Sequence, residues 1–72
     1  MIEIGKLGVI EHGDDAGFQI RVLDDSDNTG GFLIITGKNL NDKSFEAFDG
    51  WVASKEDLQD YFEESKWVVK WF

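Results

Sequence analysis

The chain contains no cysteine, which excludes disulfides and thiolate metal sites and leaves its small core to hold together by packing alone. It is therefore compatible with a reducing cytosol. Proline is also absent and no segment repeats, so element boundaries must be read from glycines, polar runs and hydrophobic periodicity. No window approaches the ~20 apolar residues of a membrane-spanning helix. The opening Met1, Ile2, Glu3 and Ile4 lack the basic start of an export signal. The expected location is cytoplasmic, with no membrane partner. Basic residues are scarce: seven Lys and Arg stand against fifteen Asp and Glu, for a net charge of −8 in 72 residues. That scarcity disfavours direct binding of nucleic acid, whose phosphates the chain repels. A chain this small gains no stability from self-repulsion, so the excess points to a basic partner.

What is present is sufficient for a folded domain. Apolar residues make up 42% of the chain, with three Trp, one Tyr and six Phe, too many for a disordered acidic tail. A chain of this length is expected to form a single domain over residues 1–72, burying only roughly 60% of its unfolded surface.

Residues 2–10 are apolar at Ile2, Ile4, Leu7, Val9 and Ile10 with Gly5 and Gly8 among them, a pattern that suits a twisted or bulged first strand. After a polar turn, Phe18, Ile20 and Val22 alternate with Gln19, Arg21 and Asp24 as a second strand, paired with the first as a hairpin. A second turn, residues 24–31, is rich in Asp, Asn and Gly. Phe32, Leu33, Ile34 and Ile35 then run without alternation, which predicts a central third strand covered on both faces. Following a loop over residues 37–44, Phe45, Ala47, Phe48, Trp51, Val52 and Ala53 give a fourth strand in which Gly50 is expected to bend or bulge.

Ser54 opens the one helix. It is a good N-cap, Asp57 resembles the acidic partner of a capping box, and Glu56 and Asp57 occupy the positive end of the dipole. Leu58, Tyr61, Phe62 and Ser65 form its apolar-spaced stripe, and Trp67, Val69 and Trp71 alternate with Val68, Lys70 and Phe72 as a fifth strand. Short connections make the helix antiparallel to both neighbours, so strands four and five run the same way. The expectation is an α+β fold: a curled mixed, mostly antiparallel five-stranded sheet of order βββ-β-α-β with one helix on one face.

No motif signals catalysis. Asp25, Asp27, Thr29 and Gly30 imitate the first half of a calcium loop, but Thr36 stands where a bidentate Glu is required, so a glycine-rich turn is the better reading. His12, the lone histidine, falls in a polar turn without a serine or carboxylate partner at any diagnostic spacing. The chain is not expected to be an enzyme, and no cofactor or metal is implied.

Charge and topology instead suggest a protein-binding surface. The turn at Asp24, Asp25 and Asp27 is expected to share one end of the domain with the end of strand four and the helix N-terminus, collecting Glu56 and Asp57. Asp60 continues the acidic helix face. One helix cannot cover both faces of five strands, so a tryptophan such as Trp51 is a candidate anchor for a partner. The partner-binding candidates are thus Asp24, Asp25, Asp27, Trp51, Glu56, Asp57 and Asp60. Glu63 and Glu64 sit at the negative end of the helix, where each costs ~0.3 to 1 kcal/mol, which hints at selection for something other than stability.

Phe48-Asp49-Gly50-Trp51-Val52, the acidic helix Ser54-Lys55-Glu56-Asp57-Leu58-Gln59-Asp60-Tyr61-Phe62 and the closing Trp67-Val68-Val69-Lys70-Trp71 together resemble the small acidic immunity proteins of bacterial polymorphic or contact-dependent toxin systems. That resemblance implies a cytosolic inhibitor that binds a cognate toxin, expected to be a basic nuclease-type domain, and blocks its active site. The alternative is a nucleic-acid mimic of phage or plasmid origin that inhibits a host defence nuclease through a similar acidic surface.

Overall fold

The computed structural model describes residues 2–72, in which five strands and one helix follow in the order β1 (Leu7–His12), β2 (Gln19–Asp25), β3 (Gly31–Gly37), β4 (Ala47–Val52), α1 (Lys55–Glu64) and β5 (Val68–Trp71). They form one open sheet ordered β4-β3-β2-β1-β5, so the α+β class and the element order are as expected. Every pairing is antiparallel. β4 and β5 do run in the same direction, but on opposite edges, so no parallel ladder forms between them.

The helix is what separates them. Ten residues of α-helix span about 15 Å, and four strand spacings span about 19 Å. Together with its short flanking links, α1 reaches from one edge of the sheet to the other. Its buried Leu58 and Phe62 rest on the alternate residues Ile10, Ile20, Val22, Phe32, Ile34 and Val52, which constitute the core. Trp67, Val69 and Trp71 close that core from the β5 side, as the alternation of the last segment requires. Trp67 itself precedes β5 and packs edge-on against Phe62, with ring centroids 5.0 Å apart.

Four local expectations are corrected. β3 is an interior strand but not the middle one, and it is covered on one face only, with Leu33 and Ile35 partly exposed on the face away from the helix. The first strand begins at Leu7 rather than Ile2, because Gly5 takes a positive φ of 83° and turns the chain; Ile2 still packs against the core. Gly50 keeps regular register opposite Ile34. The irregularity lies between β1 and β5 at Ile10/His12, where Glu11 is the extra residue of a bulge. Within the helix stripe, Leu58 and Phe62 are buried, whereas Tyr61 is 38% exposed and Ser65 is the C-cap.

The helix end is fastened to the β1–β2 turn. Asp14 N–H donates to the Ser65 carbonyl at 3.0 Å, satisfying one of the helix's orphan acceptors. The Trp67 indole N–H donates in turn to the Asp14 carbonyl. This contact needs Gly13, which has φ 101° and lies so close that a Cβ would collide with the backbone of Ser65 and Lys66.

Candidate functional site

At the end expected to be acidic, Asp24 pairs with Phe32 and Phe32 with Val52. The 24–30 turn therefore lies beside the end of β4 and the start of α1. Asp24 is held below its ordinary pKa of 3.8 by the Ser26 hydroxyl and by the Ser26 N–H, 2.9 Å from its carboxylate, with Lys55 contributing less. The turn itself is built on a backbone group. The Asp25 carbonyl accepts from the N–H groups of Asn28, Thr29 and Gly30 at 3.0, 2.9 and 3.3 Å. The chain thus winds around a carbonyl rather than gathering carboxylates around a cation. Among the described residues, no three His, Asp or Glu side chains are grouped to hold a metal ion.

Trp51 lies across this turn. Its indole N–H donates to Thr29 Oγ1 at 2.8 Å, and its ring rests on Gly31, where a Cβ would come within 2.8 Å of the ring carbons. Glycine thus forms a flat seat, and the side chain is fixed in place while remaining 49% exposed. An aromatic held in this way loses little entropy on docking.

Strand pleating sorts the remaining candidates. Because Val52 enters the core, Trp51 points to the opposite sheet face, which it shares with Asp25 opposite Gly31. Glu56, Asp57 and Asp60 are exposed on α1, on the helix side of the sheet. Asp57 also donates its N–H to Ser54 Oγ at 3.1 Å, completing the N-cap. Asp24, Asp25, Asp27, Trp51, Glu56 and Asp57 therefore surround one end of the molecule. Asp60 lies a turn further along the helix.

The acidity is not confined to that end. Glu3 joins it together with Lys6, 3.4 Å away, while Glu11 and Glu46 join Asp14, Asp15, Asp42, Glu63 and Glu64 at the other, leaving the two ends with a comparable excess. The Glu3–Lys6 contact is the one ion pair among the described residues. Nearly all of the carboxylate charge is thus uncompensated within the fold. His12 ends β1, exposed and opposite Val68.

Two surfaces extend beyond the residues singled out from the sequence. The first is the sheet face turned away from the helix. Register aligns Leu7, Arg21, Ile35 and Asp49 in one row and Leu23, Leu33 and Trp51 in the next. Arg21 stands at its centre, with Nε buried and unpaired. The second is a concavity of about 320 Å³ on the helix side, walled by Phe18, Phe48, Tyr61 and Trp67, floored by Ile34, Thr36 and Gly50, and also lined by Asp15 and Asp49. The absence of a side chain at Gly50 lets the Tyr61 hydroxyl approach, at 3.4 Å from where a Cβ would stand. These aromatics are far apart in sequence, so no local pattern announces them. The available signal was that Phe48 shares strand parity with the core residue Val52 in an edge strand that one helix only partly covers.

Among the described residues no helix is long and apolar enough to cross a membrane. No protein-family model matches the chain, and no curated protein or solved structure shows significant similarity to it.

Proposed function

We propose that this protein is an acidic protein-binding inhibitor, an immunity-type domain that neutralises a basic toxin domain by covering its active site in the cytosol. The observation that carries this reading is an uncompensated carboxylate surface combined with exposed aromatics on one edge strand and its approach. Fifteen acidic side chains yield one ion pair among the described residues, and Phe45, Phe48 and Trp51 are 46%, 52% and 49% exposed. Carboxylates steer a basic partner and speed its encounter, while aromatic anchors slow its departure. A toxin that cuts nucleic acid needs a basic cleft to bind phosphates, and spaced carboxylates can occupy that cleft in their place.

The test begins with affinity capture from the native host at low salt, using the wild type and an Asp25→Asn, Asp57→Asn, Asp60→Asn triple variant side by side. The expected result is a basic protein retained by the wild type and lost by the variant. Coexpression of the inhibitor with that protein should relieve its toxicity. A captured protein that is acidic, or whose toxicity is unchanged by coexpression, would overturn the reading.

A further inference from the structure

We propose that the concavity between α1 and the β3–β4 edge is a receptor for one cationic side chain, lysine or arginine, presented by the basic partner. This inference deepens the proposed function and rests on its basic-partner reading. Four aromatic rings, from Phe18, Phe48, Tyr61 and Trp67, line the hollow. Those of Tyr61 and Trp67 are inclined at 53° with centroids 5.6 Å apart, which makes a corner of two walls rather than a flat stack. Aromatic faces carry negative quadrupole density and attract a cation within about 6 Å of the ring.

Charge favours the same occupant. Asp15 lines the hollow and is exposed, so its carboxylate can meet an incoming ammonium or guanidinium without having been desolvated beforehand, whereas the Asp49 side chain belongs to the other sheet face. The C-terminal half of α1 forms one side, its last turn carries no basic residue, and the negative end of its dipole adds to the potential. Lys38 and Lys66 line the adjoining grooves and not this one. A volume of about 320 Å³ lies at the small end of the ~300–1,000 Å³ typical of ligand pockets. It suits a single side chain with an aliphatic stem and a charged head.

The binding test needs no partner protein. N-acetyl-lysine N-methylamide, its arginine counterpart and the neutral norleucine counterpart are titrated into the ¹⁵N-labelled protein. The Trp67 indole N–H, bonded to Asp14, reports on the hollow, and the Trp51 indole N–H, on the other sheet face, serves as the control. Saturable shifts at Trp67 with lysine or arginine but not norleucine, and none at Trp51, are expected. Phe48→Ala should weaken the response by about 2- to 30-fold, the span of one cation–aromatic contact, and Asp15→Asn should weaken it further. Phe48 is 52% exposed, so its truncation leaves the core intact, and the Asp15→Asn replacement keeps side-chain size. An equal response to norleucine, no response to either cation, or a response unaffected by these changes would overturn the receptor.

The partner then separates the two ideas. A basic protein bound as tightly by the Phe48→Ala variant as by the wild type would remove the receptor and leave the function standing. Saturable cation binding here, with capture yielding only acidic proteins, would remove the function and leave the receptor's chemistry intact.

Discussion

Asp42 illustrates how a single exposed carboxylate is tuned by its neighbours. The Ser44 hydroxyl donates to it at 2.7 Å and the Ser44 N–H at 2.9 Å. Those two bonds favour the charged form and hold its pKa below the ordinary 3.8. A depressed folded-state pKa means that the stabilising contribution is complete above the unfolded value and lost as pH falls through the folded one. Ser44→Ala removes the hydroxyl contact, so the Asp42 midpoint should rise toward its ordinary value, as followed by the carboxyl carbon shift in an acid titration. A midpoint unchanged by the substitution would mean that the hydroxyl is not the dominant cause. The same physics operates at Asp24 through Ser26, so both of these aspartates hold their charge to lower pH than an unpartnered one.

At the level of elements, α1 carries the argument. Its ends are secured by Ser54 on one side and by Asp14 from the β1–β2 turn on the other, yet helices this short are marginal in isolation and derive their stability from packing. Leu58 and Phe62 are 2% and 7% exposed. Leu58→Ala or Phe62→Ala should therefore each cost ~2 to 5 kcal/mol of unfolding free energy, measured by urea denaturation, as buried large-to-small changes do. Tyr61→Ala, at a residue 38% exposed, should cost clearly less. Equal costs at all three positions would mean that the stripe is wrongly divided between core and surface.

For the whole molecule, the governing quantity is the field of a net charge of −8, with one ion pair among the described residues. Association with a basic partner should be steered by that field, above the neutral rate of ~10⁵ to 10⁶ M⁻¹s⁻¹. Raising ionic strength from about 0.05 to 0.5 M contracts the Debye length from well over 10 Å to a few Å, and the association rate should fall strongly. The Asp25→Asn, Asp57→Asn, Asp60→Asn variant should associate more slowly and with a flatter salt dependence, whereas Trp51→Ala should act mainly on dissociation. Stopped-flow kinetics with the captured partner measures both. An association rate indifferent to salt and to the triple change would remove the electrostatic argument.

The sequence by itself determined the identity of the elements. Period-two alternation in Phe18–Val22 and Trp67–Phe72 and the N-cap at Ser54 are local signals, and they sufficed for five strands, one helix and their order. Composition likewise determined the acidic surface, since so few bases could neutralise it wherever they fell. Local signals failed where backbone angles or distant partners decided the outcome, as at Gly5, whose positive φ delays β1, and at Gly50, whose regular pairing answers to Ile34. Only the tertiary structure decided that β5 joins β1 and not β4, because strand neighbours are chosen by contacts far apart in the chain. That choice sends the helix from edge to edge, leaves Trp51 seated on Gly31 and exposed, and brings Phe18, Phe48, Tyr61 and Trp67 around one hollow. Periodicity assigns a side chain to one of two sheet faces; whether that face is then covered depends on where the remaining elements pack.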